Sequence, residues 1–215
     1  MNLSFRRQDV PPDYPPQIVL ASQSIGRKTL LEKLGVGFRV VVTRVNEDAI
    51  VDRDPVRTIK RRAVAKADEV VKNPHVYSIS ETGKVLVIAA DSMAILGGKT
   101  YGKARDREDA KGIVRALMGK THVFATAICA VYLDKQSEIK RWEKDAKTKV
   151  SLRKMTAAEI DLYVVRFDFT RYAAGYAFHE APWDYVTKID GSYTNVVGLP
   201  FEHLLPILRT LKIIA

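Results

Sequence analysis

The sequence predicts an α/β fold, with helices flanking a mixed, twisted β-sheet that contains hairpins. Three observations carry this. Val85-Leu86-Val87-Ile88-Ala89-Ala90 is an unbroken apolar run, the composition of a strand covered on both faces. Strand-like runs alternate with segments whose apolar residues recur at helical spacing, the order expected of layered α/β proteins. Gly97-Gly98 separates two short strand-like stretches and marks a hairpin, so the sheet is not purely parallel.

The elements follow in order. Ile18–Ala21 is a short buried strand. Ser22-Gln23-Ser24 is a small hydroxyl-bearing loop, and a helix then opens with Arg27 and Lys28. Leu30, Leu31 and Leu34 give it an apolar stripe, and Gly35 is its stop. Phe38–Val42 is a strand that delivers Asn46-Glu47-Asp48 to a loop. Asp54-Pro55 opens a helix running to about Val71, rich in the good helix former Ala. The apolar run ends at Asp91, and Met93–Tyr101 forms the hairpin. Asp106-Arg107-Glu108-Asp109 starts a helix to about Met118, ended by Gly119. His122–Tyr132 and Ile139–Leu152 pair as strands through the turn at Asp134–Ser137. Thr156-Ala157-Ala158-Glu159 is a capping box for a helix through Val165. Phe178–Ile189 is apolar but irregular. Pro200 begins a last helix, Phe201–Leu211, which Pro206 is expected to kink or interrupt.

The chain has 215 residues, of which 47% are hydrophobic and 28% charged, enough to bury a core. No apolar run approaches the ~20 residues of a membrane span. Met1–Pro16 is polar and Pro-rich with no signal-peptide core, so it is expected to be a flexible extension of a cytoplasmic protein. Cys129 is alone, which excludes an internal disulfide or a Cys-rich metal site, and reads as a small buried strand residue. A net charge of +10 and a pI of about 9.6 favour anionic partners without choosing among nucleotides, nucleic acid and acidic membrane. The clusters Lys60-Arg61-Arg62 and Lys147-Thr148-Lys149 read as solvated faces.

The candidate chemistry begins at the first loop. A helix N-terminus presents unpaired N–H groups and the positive end of its dipole. With the Ser22 and Ser24 hydroxyls and the nearby cations, it makes a phosphate site. Asp91, at the end of the central strand, is placed to hold a divalent cation or to act as a base on water; a turn or cap role is equally open. Glu47 gains a role only if it shares a metal with Asp91. Lys66 sits between Ala63 and Ala67 on a helix, where a solvated lysine is the default. Lys103 follows Gly102 and could reach a polyphosphate. His122 and His179 are single histidines, each read as packed or surface residues. Together the set suits metal-assisted attack of water on a polyphosphate.

From Gln17 to about Leu211 the chain resembles the Maf family of nucleoside triphosphate pyrophosphatases, whose name refers to septum formation. The resemblance rests on ordered motifs: Leu20-Ala21-Ser22-Gln23-Ser24 with Arg27, Glu47, Ala65-Lys66-Ala67, Ile88-Ala89-Ala90-Asp91-Ser92 and Gly102-Lys103. Further on come Asp106-Arg107-Glu108-Asp109-Ala110, Leu117-Met118-Gly119-Lys120-Thr121-His122, Ala173-Ala174-Gly175-Tyr176 and the highly specific run Gly191–Pro200. It implies one Maf-like domain over 17–215, with two lobes around a central cleft, commonly as a homodimer. It implies hydrolysis of a nucleoside triphosphate to the monophosphate and pyrophosphate with Mg²⁺ or Mn²⁺. Asp91 would be the metal-bound carboxylate and base, and Glu47 the second metal carboxylate. Ser22, Arg27, Lys66 and Lys103 would bind the phosphate chain, with Ser24, Ser92 and His179 also facing substrate.

The departures from the family pattern bear on substrate choice. Gly26 stands where a first arginine is usual, Thr29 where a glutamate is common, and Tyr172 where a lysine precedes the Ala-Gly segment. His179 replaces a glutamine near the catalytic centre, and Ser92 a threonine. The Val196–Pro200 run and Asp91-Ser92 resemble the branch that prefers dTTP and UTP, including modified forms. The alternative is a weakly catalytic nucleotide-binding regulator linked to cell division. Nucleic-acid binding has only the charge in its favour, since no recognised nucleic-acid motif accompanies it.

Overall fold

The computed structural model describes residues 15–166, 172–176 and 184–215. Strands β1 (Gln17–Ala21) and β2 (Phe38–Val41) pair in parallel, and β1 also pairs in parallel with the first half of β3 (Lys84–Leu96). From β3 onward the sheet is antiparallel. Its far edge carries β5 (Thr121–Asp134), β6 (Ser137–Leu152) and β7 (Val186–Asp190), while β4 (Lys99–Tyr101) folds back on the end of β3. The mixed sheet expected from the sequence is present.

β3 runs straight through Asp91, which lies in mid-strand rather than at a strand end. The reason is that β5 stays paired to β3 from Lys84 to Ile95. On the opposite edge β1 stops at Ala89 and β4 starts at Ala94, so residues 90–93 have a neighbouring strand on one side only. This opening in the sheet edge positions the site.

Side-chain alternation sends odd and even residues of β3 to opposite faces. Val85, Val87, Ala89 and Met93 pack with Ile59, Ala63, Ala67 and Val70 of α2 (Pro55–Lys72). Leu86, Ile88, Ala90 and Ala94 face a larger core, which holds Leu30 and Leu31 of α1 (Ile25–Lys33) and the apolar sides of α3 (Arg107–Leu117), α4 (Ala157–Arg166) and α6 (Phe201–Thr210). The short helix α5 (Tyr193–Val197) contributes Val196 and Val197 to the same side.

Local signals account for most element ends. Asp54 caps α2 through Val56 N–H, with Pro55 in the first turn. Thr156 and Glu159 form the reciprocal capping box at α4. The β5–β6 hairpin turns on Lys135 and Gln136, both at positive φ. Pro206 does not interrupt α6: the helix continues from Phe201 to Thr210, because loss of one N–H leaves the remaining hydrogen bonds and the burial of Leu204, Ile207 and Leu208 in place. Cys129 is buried and unbonded to other cysteines, and burial pushes its thiol up to about 12. No described helix is long and apolar enough to cross a membrane. Most of the N-terminal extension and the whole of Phe178–Trp183 lie outside the described residues.

Candidate active site

The opening beside residues 90–93 of β3 is the floor of a cleft of about 610 Å³, within the usual range for small-molecule sites. Ser22, Ser24, Arg27, Glu47, Lys66, Asp91, Ser92 and Lys103 all line it. Of the site residues expected from the sequence, only His179 is missing from this set, and it lies outside the described residues.

Alternation along β3 explains how two kinds of chemistry meet there. Asp91, an odd position, faces α2. Ser92, the next residue, faces α1. Lys66 lies on the buried stripe of α2, and its ammonium bridges the two carboxylates, 2.8 Å from Glu47 Oε2 and 3.4 Å from Asp91 Oδ1. Glu47 opens a single 3-10 turn, Glu47–Ala49, in the loop after β2. Burial works against the Glu47 carboxylate, but Lys66 and then Arg27 outweigh it and hold its pKa below the ordinary carboxylate range. At Asp91 burial prevails over Lys66 and Arg27, and its pKa is raised. Asp91 Oδ2 is buried with no hydrogen-bond partner, although the Arg62 guanidinium stands 3.8 Å away.

On the other side, Arg27 is buried and held at three nitrogens. Nε donates to the Gly198 carbonyl at 3.0 Å, Nη1 to Ser22 Oγ at 2.9 Å and Nη2 to Ser92 Oγ at 2.9 Å. Burial lowers its pKa, and Asp91 and Glu47 oppose that; an arginine remains charged regardless.

These contacts fix the direction of two hydroxyls. Ser22 Oγ accepts from Arg27 Nη1 and from Ser24 N–H, so both lone pairs are used and its proton is left to donate. Thr126 Oγ1 donates to the Asn195 carbonyl at 2.8 Å. Its bond with Ser92, at 2.9 Å, therefore has Ser92 as donor. Hydrogen bonds run one way, from Arg27 through Ser92 and Thr126 to Asn195. Ser92 thus lines the cleft, but its proton points into the protein. Lys28 stays outside, paired with Glu32 on the surface.

The specific run Gly191–Pro200 supports this arrangement from behind. Ser192 caps α5 through Asn195 N–H. Asn195 Nδ2 donates to the Phe124 carbonyl and to Thr148 Oγ1, which anchors the helix to β5 and β6. Gly198 has φ +118°, and a Cβ there would come within 3.2 Å of Arg27 Nε. Only glycine combines that backbone with that approach. Lys103 follows β4; it is solvent-exposed at the cleft, and partial desolvation, reinforced by Arg27, lowers its pKa. No hydrogen bond or ion pair holds its ammonium among the described residues. A bridge from Lys103 to Ala173 brings Tyr172 and Tyr176 to the cleft wall.

Sequence reasoning missed Arg62, which had been assigned to a solvated cluster, and the orienting pair Thr126 and Asn195. A signal for Lys66 and Arg62 was present. Ile59, Ala63, Ala67 and Val70 form the buried stripe of α2, and Lys66 falls inside it with Arg62 one turn before. His122 is packed as expected, with Nε2 2.6 Å from the Tyr176 hydroxyl.

Fold and cleft together define an α/β protein with a cationic pocket built around two carboxylates. A family model described as "Maf-like protein" matches residues 17–211, and this chain belongs to that family. It is similar to curated dTTP/UTP pyrophosphatases. That of Agathobacter rectalis is 34% identical over 202 residues, covering 92% of this chain and 98% of the relative. That of Anaeromyxobacter dehalogenans is 34% identical over 196 residues, covering 90% and 93%, and that of Pyrococcus furiosus is 34% identical over 196 residues, covering 90% and 94%. Among solved structures, a nucleoside-triphosphatase (dITP/XTP pyrophosphatase) from Mycobacterium abscessus aligns over 91% of this chain and 97% of its own. Its 15% identity and TM-score of 0.37 are too low to carry weight.

Proposed function

We propose that this chain is a nucleoside triphosphate pyrophosphatase that acts on pyrimidine nucleotides such as dTTP and UTP, or modified forms of them. The observation that carries this is the pairing of Asp91 with Glu47 in a cleft where Arg27, Arg62, Lys66, Lys103 and Arg105 outnumber Glu47, Asp48 and Asp91. The excess of two positive charges matches a triphosphate with one divalent cation, which carries about two negative charges at neutral pH. The dTTP/UTP pyrophosphatase names of full-length relatives support the substrate class.

Asp91 takes a proton from water as the water oxygen bonds to the α-phosphorus. The α–β anhydride bond breaks, its electrons go to the bridging oxygen, and pyrophosphate leaves. Burial raises the proton affinity of Asp91, which suits a base. Ser22, with its proton aimed outward, and Lys103 donate to phosphate oxygens. Lys66 steadies both carboxylates. Arg27 orients Ser22 and adds charge from beneath.

The buried, unpartnered Oδ2 of Asp91 and the hard oxygen donors of Glu47 fit Mg²⁺ or Mn²⁺. Glu47 and Asp91 would hold it together with phosphate oxygens, and it would supply charge neutralisation at the phosphates. In the same proposal, residues 17–215 act as one domain, in the cytoplasm, as a homodimer. Sedimentation showing a monomer at working concentration would remove the dimer.

The test is pyrophosphate release from a panel of standard and modified triphosphates with Mg²⁺ or Mn²⁺. Asp91→Asn should lower turnover by about 10²–10⁴-fold, with an unchanged circular dichroism spectrum. Undiminished turnover in that variant would overturn the mechanism. Nucleotide binding without release across the panel would identify a binding regulator instead.

A further inference from the structure

Of Arg27 and Arg62, the cleft arginines shielded from solvent, Arg62 is the one whose terminal nitrogens make no hydrogen bond among the described residues. Its Nε donates to the Ile50 carbonyl at 3.0 Å, which fixes the elbow of the side chain. Nη1 stands 3.8 Å from Asp91 Oδ2, too far for a hydrogen bond, and neither terminal nitrogen has an acceptor among the described residues. The side chain is 19% exposed, so this charge is poorly hydrated and has only the long ion pair with Asp91. Arg27, by contrast, has Nε, Nη1 and Nη2 all engaged. Tethering α2 to the loop needs only the Arg62 Nε bond. The free planar edge has the shape that accepts two phosphate oxygens side by side.

The position of that edge says which phosphate. Arg62 and Lys66 lie on the α2 side of the sheet, next to the loop Thr43–Asp48. The apolar lining (Phe124, Tyr176, Val196 and Val197) lies on the opposite side, where a base would be received. Asp91 stands between the two. With the base on the apolar side and the attacked phosphorus at Asp91, the leaving pyrophosphate lies toward α2.

We propose that Arg62 is a substrate-binding residue that grips the β- and γ-phosphates, the part that leaves as pyrophosphate. This rests on the pyrophosphatase reading above. The experiment is equilibrium binding of inorganic pyrophosphate and of dTMP, with Mg²⁺, to the full chain and to its Arg62→Met and Arg62→Lys variants. Arg62→Met should weaken pyrophosphate about ten- to hundredfold and leave dTMP within about twofold; Arg62→Lys should recover part of the loss.

Equal losses for both ligands, unchanged pyrophosphate affinity, or no pyrophosphate binding by the wild-type chain would each overturn it. A lower melting temperature with unchanged affinity would make Arg62 a strut for Ile50 and also overturn it. The release assay on the same preparations separates the two ideas. Absence of release alongside intact, Arg62-dependent pyrophosphate binding counts against the enzyme and not against this site.

Discussion

Ser22 shows how much a single hydroxyl depends on its neighbours. Serine normally chooses among several hydrogen-bond directions. Here Arg27 and Ser24 fill both lone pairs, so the proton has one useful direction, toward a ligand in the cleft. Ser92 has the same chemistry and the opposite outcome, since its proton is held by Thr126. Ser22→Ala should therefore raise KM for the triphosphate about tenfold, the value of one hydrogen bond to a charged group, with a smaller effect on kcat. Steady-state kinetics on the two alanine variants checks the contrast. Ser92→Ala, which breaks a supporting contact to Arg27, should act on kcat and stability as well.

At the level of elements, the legible parts of the chain were those set by local physics. The capping box at Thr156, the Gly97-Gly98 hairpin, the Asp54-Pro55 start of α2 and the fully buried first half of β3 all follow from residues within one turn or one strand. The placement of Asp91 did not, because whether a strand ends at a carboxylate depends on whether its neighbour, β5, keeps pairing. Arg62 was overlooked for a similar reason: its place one turn before Lys66 was a signal, but a run of three cations looks solvated until the loop carrying Ile50 is laid against it. The ligand-facing set was legible only in company, since Lys66, Glu47 and Lys103 each have an ordinary surface explanation alone.

The loop from α5 to α6 shows an element working for the site. Gly198→Ala should cost at least about 1–2 kcal/mol from the backbone conformation alone. It should also lower turnover, because the added methyl presses on Arg27 Nε. Chemical denaturation and the release assay read the two effects separately.

The stability of the whole molecule should carry the signature of His122. Burial lowers its pKa to about 4, so the folded protein keeps it neutral where an unfolded chain, near 6.5, would bind a proton. Between those values the unfolded state holds more protons, so stability present above about pH 6.5 is lost as the pH falls toward 4. The loss is on the order of 3 kcal/mol. Urea titrations at pH 7.5 and 4.5 should show this gap, and His122→Gln, which does not titrate, should narrow it. An equal gap in the variant would assign the acid sensitivity elsewhere, to the depressed carboxylates of Glu47 and Asp68, since the raised carboxylate of Asp91 gains stability as the pH falls.

The hydrogen bond from Arg27 to Gly198 joins positions 171 residues apart, and that from Thr126 to Asn195 spans 69. The cleft is stitched from segments far apart along the polypeptide. While the chain is being synthesised, the strand bearing Asp91 emerges long before the segment that sets Arg27 and, through it, Ser22. A nascent chain therefore carries the acidic pair without its finished anion cradle, and competence arrives only once Gly198 has followed Asp91 out of the ribosome.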